Sequence, residues 1–287
     1  MERITIDAVN EWSWKKRREG LSWVTIKNIL RTMQRVLSAS SKNHKPPFSQ
    51  EGLAIPERDK LQMKIQIREA ISLSWEQTQQ VIGQVFRLAH LDDALRERYA
   101  TLFALPSAAG LRPGELFALR INDLDFRDST IRVDESVNQW TGSIGSCKNA
   151  AAYRTVLLGD REGQEMMRRL KQFVGTRTHN PNALLFPSRR GTPLRESNVL
   201  REALHPVLEA LGLPKAGMQS FRRGRNRRWE LSGMNPAVLR QQMGHSSHAM
   251  TVRYTGQIPL SRVREAFSIT NGREIVVLEN MENEVVT

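Results

Sequence analysis

Cysteine is nearly absent from this chain. Cys147 stands alone, so no internal disulfide can form, which fits a reducing compartment. Long apolar runs are missing as well: none approaches the ~20 residues that span a bilayer, so no membrane-spanning helix is expected. The opening residues, MERITIDAVNEW, hold no basic segment followed by an apolar one, so no secretory leader is expected and the expected location is cytoplasmic. No Gly-x-x-x-x-Gly-Lys loop occurs, so nothing is shaped to cradle a nucleoside triphosphate. His245 and His248 have helical ligand spacing, but one cysteine and no nearby carboxylates leave them without further ligands; no metal and no cofactor are expected. Tyrosines number three. Tyr99 in an apolar helical stretch and Tyr153 in a strand-like run read as packing. Tyr254 lies between Thr-Val-Arg and Thr-Gly just past a polar loop, where its hydroxyl can be presented.

Positive charge is what the chain has in excess. Lysine and arginine total 43 against 30 acids, a net charge of +13 with a pI near 10.5. Such a balance points to a polyanionic partner, most commonly DNA or RNA. With 287 residues the chain can hold two domains or one large one. Residues 1–45 carry ten Lys or Arg against four acids. Lys15, Lys16, Arg17 and Arg18 form one run. Ser22 then caps a helix whose apolar face is Ile26, Ile29, Leu30, Met33, Val36 and Leu37, while Lys27, Arg31 and Arg35 fall four apart on another face. Read alone, that stripe is a solvated surface; beside the Lys15–Arg18 run it is equally a helix laid against nucleic acid. Trp12, Trp14 and Trp23 read as core.

Periodicity stops over Ser38–Pro56, which reads as loop and linker. Ser74 and Gln77 make a capping box for a helix continued by Val81, Ile82, Val85, Phe86 and Leu88. A second helix is expected through Leu95–Leu105, ending near Pro106, and the domain boundary falls at about residue 70. Gly110 suits a helix end, and Pro113 with Glu115 the first turn of the next, which ends near Leu119-Arg120. Thr130–Val133 alternates like a strand. Ser146–Asn149 and Tyr153–Leu158 read as two limbs of a hairpin with alanines at its tip. Arg161–Val174 and Ser197–Leu211 are helical. The expected class is mostly α (α+β), with one small antiparallel sheet. The densest basic stretch follows: Arg222, Arg223, Arg225, Arg227 and Arg228 within seven residues, then a Gly-Met-Asn-Pro turn and Gly244-His245. Arginine forks grip phosphate oxygens and a tyrosine can attack phosphorus.

From Ser72 to Phe267 the segments AAGLRPGELFALRINDLDF, CKNAAAYRTVLL, LLFPSRRGTPL, SFRRGRNRRWELSGMNPAVLRQQMGHSS and TVRYT, in that order, resemble the catalytic domain of the tyrosine recombinases, the phage integrase family. The basic segment before residue 50 resembles the end of that family's core-binding domain, with part of its helical bundle missing and Met1 as a late or truncated start. The resemblance implies a core-binding unit at 1–50, a linker at 51–70, a catalytic domain at 71–270 and a tail at 271–287 that can be exchanged between subunits. It implies site-specific cutting and rejoining of DNA, for integration or excision of a mobile element, without metal or ATP. Arg112 and Arg222 would hold the scissile phosphate, Lys148 would protonate the departing 5′ oxygen, His245 would donate to the phosphate, and Tyr254 would be the nucleophile. Read alone, Arg112 near a helix start reads first as a surface salt bridge to Glu115. Gln219 stands where the family usually has histidine, and a glutamine can position but not act as a base. Lys15, Lys16, Arg17, Arg18, Lys27, Arg31, Arg35, Arg223 and Arg225 would grip flanking DNA. The implied assembly is a monomer when free and a homotetramer on double-stranded DNA, with bending or directionality factors and a place on the nucleoid. Three rivals stay open: a catalytically weakened DNA-binding relative, a type IB topoisomerase-like enzyme, and an RNA- or DNA-binding scaffold of unrelated fold.

Overall fold

A computed structural model describes residues 5–40, 54, 59, 71–147, 150–175 and 180–245. Two compact units divide the chain, Met1–Glu69 and Ala70–Thr287.

In the first unit, α1 (Ile6–Arg18) and α2 (Trp23–Ser40) form a helical pair. Ser22 caps α2 through the Thr25 N–H at 3.1 Å. The helix runs to Ser40, past the expected break at Ser38. Val9, Trp23, Ile26 and Leu30 are the buried core; Met33 packs against it, whereas Ile29 and Val36 are exposed. Trp23 is core as expected and donates to Asp59 at 2.7 Å. Trp14 meets it edge-on at 5.2 Å from a partly exposed position.

The second unit is built around α4 (Asp93–Ala109), buried continuously from Tyr99 to Ala109. Around it lie α3 (Trp75–Val85), α5 (Pro113–Ala118), α6 (Arg161–Gly175), a helix spanning 196–210 that passes through a π-helical segment at Leu200–Leu204 (α7), α8 (Gln219–Leu231) and α9 (Pro236–Met243). Ser74 and Gln77 form the anticipated capping box. Pro106 does not end α4 as expected. A proline forfeits its own backbone bond and crowds the carbonyl one turn back, but burial of the last turns keeps them helical until Gly110 closes the helix in the left-handed conformation. Tyr99, Phe103 and Phe221 stack at centroid spacings of 6.0 and 5.6 Å, joining α4 to α8.

Among the described residues, five short strands make two antiparallel sheets rather than the single one expected. β1 (Leu124–Asp125), β2 (Thr130–Val133) and β5 (Arg154–Leu157) pair in the order β1-β2-β5, with Val133 opposite Arg154. β3 (Glu135–Val137) pairs with β4 (Ile144–Ser146). The expected hairpin is therefore corrected: its two limbs bond to different partners, and Ala150–Ala152 form a 3-10 turn between them. Tyr153 is also corrected, being largely exposed, because alternation along β5 turns Arg154 and Val156 inward.

Helix α8 lies against the segment leading into α3. The Leu73 N–H donates to Ser220 O at 3.1 Å. A β-carbon on Gly224 would sit 1.8 Å from Leu73 O, so only glycine permits this approach. Gly224→Ala should cost about 2–3 kcal/mol in urea unfolding, whereas Gly83→Ala, mid-helix with nothing within 4 Å, should be neutral or stabilising.

Candidate active site

The site is assembled at the C-terminal end of α9. The last carbonyls of a helix have no partner within it and must find donors elsewhere. Here three consecutive carbonyls find three arginines from three elements. Gln242 O accepts from Arg154 Nε at 2.8 Å, Met243 O from Arg222 Nη2 at 2.5 Å, and Gly244 O from Arg112 Nη2 at 2.6 Å. Gly244 closes the helix at φ 62°, and His245 N–H returns to Arg240 O at 3.0 Å. His245 is buried directly beyond that cap.

Glu115 is the counter-charge. Its buried carboxylate takes Arg112 Nη1 at 2.6 Å and Arg154 through both terminal nitrogens, at 2.9 and 3.1 Å. It also accepts from the Arg112 backbone N–H at 2.9 Å, which fixes the first turn of α5. Burial works to raise its pKa, but Arg154, Arg222 and Arg112 outweigh that and hold it at about 2. Arg222 also donates to Gly110 O, so one guanidinium ties the ends of α4 and α9 together. Arg112 thus makes the salt bridge to Glu115 and also shares the end of α9 with Arg222.

His245 sits among cations. Burial lowers its pKa, and Arg222, Arg112 and Arg154 lower it further, to about 3, with Glu115 offsetting only part. The ring is therefore neutral at physiological pH. Gln219 begins α8, one turn before Arg222 on the same face. Lys148 and Tyr254 lie outside the described residues, as does the tail at 271–287. Lys148 is bracketed by the end of β4 and the Ala150–Ala152 turn. Among the described residues no group of His, Cys, Asp and Glu could hold a metal, and no helix is long and apolar enough to cross a membrane. Tyr99 is packing: its hydroxyl donates to Glu202 at 2.8 Å, and burial with that carboxylate pushes it to about 12.

The other arginines of α8 divide by helix face. Arg225, expected on DNA, is corrected: it is buried on Asp160 at 2.5 Å and Glu162 at 2.6 Å and lies over the Trp229 ring at 4.2 Å. Arg228 joins Glu162 and donates to Ser107 O at 2.5 Å. Arg223 donates to Ile71 O at 3.2 Å, and Arg227 is exposed. In the first unit, Lys15, Arg18, Arg31 and Arg35 are exposed and Lys27 is half-buried. Lys16 is tied to Glu19 at 2.6 Å and Arg17 to Asp59 at 3.3 Å. Sequence reasoning misses Glu115 as an electrostatic hub and Arg154 as its partner. A signal for Arg154 is present, since it shares the inward face of its strand with Val156.

The sequence model of the phage integrase family matches residues 67–258, well over half of the chain, and the chain belongs to that family. A tyrosine recombinase XerC of Bifidobacterium longum (strain DJO10A) is 25% identical over 159 residues, covering 55% of this chain and 43% of the relative. The chain thus spans less than half the length of the curated relative it matches. Among solved structures, the Tn1549 transposon integrase in complex with a circular intermediate DNA aligns with a TM-score of 0.68 at 19% identity, covering 94% of this chain and 86% of that one. The XerH recombinase bound to a palindromic difH substrate aligns at 0.66 and 17%, covering 94% and 74%. A lambda integrase bound to a COC′ core site aligns at 0.56 and 17%, covering 89% and 65%. These three likenesses are of fold.

Because His245 is held neutral well below its ordinary pKa, the unfolded chain binds a proton that the folded chain does not between about pH 6.5 and 3. Stability should be full above pH 6.5 and fall as the medium is acidified through that window. Urea midpoints at pH 7 and pH 5 should show the loss, and His245→Gln should reduce the slope by about one proton. Arg225→Met should cost about 1–2 kcal/mol, since Arg228 still pairs Glu162 and Asp160 keeps its Gly163 and Trp229 donors, while exposed Arg227→Ala should stay within about 0.5 kcal/mol.

Proposed function

We propose that the chain is a site-specific recombinase that breaks and rejoins DNA through a tyrosine nucleophile. One observation carries this reading. Arg112 and Arg222, over a hundred residues apart in the chain, donate to the adjacent carbonyls Gly244 and Met243, immediately before His245. Two fixed cations and a neutral imidazole at one point suit a phosphodiester whose charge grows as phosphorus becomes five-coordinate. Membership of the phage integrase family supports the same reading.

In the proposed reaction the Tyr254 hydroxyl oxygen attacks phosphorus and the bond to the 5′ oxygen breaks. Lys148 gives that oxygen its proton. A 3′-phosphotyrosyl link and a 5′ hydroxyl result, and attack by a 5′ hydroxyl from a second strand reverses the step. Arg112 and Arg222 neutralise the non-bridging oxygens, and His245 donates to one of them. Gln219 positions the phosphate or the tyrosine. The exposed basic residues of the first unit, Lys15, Arg18, Arg31 and Arg35, contact flanking phosphates, with Lys16, Arg17, Lys27 and Arg223 contributing less. The implied partner is double-stranded DNA, in a synaptic homotetramer with the 271–287 tail exchanged between subunits, assisted by bending or directionality factors and acting on the nucleoid. Because Gln219 replaces a titratable group, a DNA-binding relative with weakened catalysis is the second reading.

Incubation with a nicked half-site, followed by a denaturing gel, separates the two. A covalent adduct that Tyr254→Phe abolishes is the expected outcome; no adduct, or one that persists in that variant, sinks the enzyme reading. Arg112→Ala and Arg222→Ala should each slow adduct formation by roughly 100–1,000-fold. Lys148→Ala should be restored by a 5′-bridging sulfur, which departs without a proton, and Arg222→Ala should not. Affinity should fall linearly on a log–log plot against salt. Relaxation of any supercoiled plasmid without a preferred site would favour a topoisomerase instead.

A further inference from the structure

Arg154 has no part in the reaction set out above, yet it touches the Glu115 carboxylate that holds Arg112 and the turn that leads to His245. Its guanidinium spans Glu115 with both terminal nitrogens, at 2.9 and 3.1 Å, and reaches Gln242 O at 2.8 Å and Ala152 O at 3.2 Å. Through Glu115 it meets Arg112, which sits on the same carboxylate at 2.6 Å. Through Gln242 it holds the turn that ends at His245. Through Ala152 it holds the segment that leads back to Lys148, six positions upstream. The Gln242 side chain completes the tie by accepting from Leu157 N–H at 3.0 Å. The fit is close enough that a β-carbon on Gly244 would lie 2.8 Å from Arg154 Nη1 and 3.0 Å from Ala151 O.

A buried pair of this kind is not needed for stability alone, since apolar packing of equal volume often stabilises as well. A planar fork does something packing cannot: it fixes the angle between a carboxylate and a carbonyl, and lysine does not reproduce that geometry. We propose that Arg154 is a positioning residue of the recombination reaction. It locks Glu115 to the last turn of α9, so that Arg112 and His245 are held toward one phosphate. This rests on the recombinase reading above.

The test uses the full chain with Arg154→Lys, Arg154→Gln, Glu115→Gln and the Arg154→Gln/Glu115→Gln pair. Affinity for an uncleaved duplex site, single-turnover adduct formation on a nicked half-site, and amide hydrogen exchange are measured for each. Arg154→Gln should keep affinity within about 3-fold while adduct formation slows about 100-fold or more, with Arg154→Lys intermediate. The double variant should be no slower than the slower single one, because both act through one contact. Exchange should quicken about 10-fold at 112–115 and 243–245 with α4 unchanged. A wild-type rate in Arg154→Gln overturns the proposal. So does a parallel fall of rate and affinity with faster exchange throughout the second unit, which would mark a merely structural residue. If the wild-type chain gives no adduct dependent on Tyr254, the recombinase reading fails, and exchange alone decides: confined acceleration at the two segments supports the lock, and its absence overturns it.

Discussion

Everything at this site depends on one buried carboxylate. Glu115 holds Arg112 and Arg154 against it, and those two arginines with Arg222 serve the three carbonyls that end α9. Remove the carboxylate and three guanidiniums crowd one helix terminus with only partial charges to balance them. With it in place, three positive charges face one negative, an excess of two. A phosphodiester passing through a five-coordinate state carries about two negative charges, so the imbalance left by the fold matches the charge of the proposed reaction.

Helix α8 shows why density of charge in a sequence is a poor guide to the use of charge. Its arginines advance about 100° per residue, so neighbours in sequence face different surroundings. Arg222 reaches the end of α9, Arg225 and Arg228 are spent on Asp160 and Glu162, and Arg227 remains in solvent. Gly224 lies where the helix meets Leu73, and its lack of a side chain permits that close approach.

Much of this fold is legible in the amino-acid sequence. Local signals with a fixed mechanism hold: the Ser74–Gln77 capping box, Gly110 as a helix end, Pro113 at a helix start and the alternation of Thr130–Val133. What stays hidden depends on partners distant along the chain. Nothing near Arg225 announces Asp160, 65 positions away, and nothing near Arg154 announces Glu115, 39 positions away. Strand pairing is obscured for the same reason: 146–149 and 153–158 look like neighbours, but β2 and β3 lie upstream as better-matched edges. At Pro106 burial outweighs the lost backbone bond and the crowding of the ring, and a local helix-stop signal carries no information about burial.

The electrostatics also bear on Gln219. Its amide cannot take a proton, and His245, the other candidate, is pressed to about pKa 3 by burial and by the arginines around it. Neither is a base of ordinary strength. On the proposed reading, then, the Tyr254 proton is not removed by an imidazole. That reading leaves the surplus positive charge of Arg112 and Arg222 to acidify the hydroxyl, with its proton passing to water or to a phosphate oxygen. On that reading Arg112 and Arg222 both hold the phosphate and help to activate the nucleophile. That makes their spacing, and the carboxylate that sets it, matter more to the rate than whether glutamine or histidine begins α8.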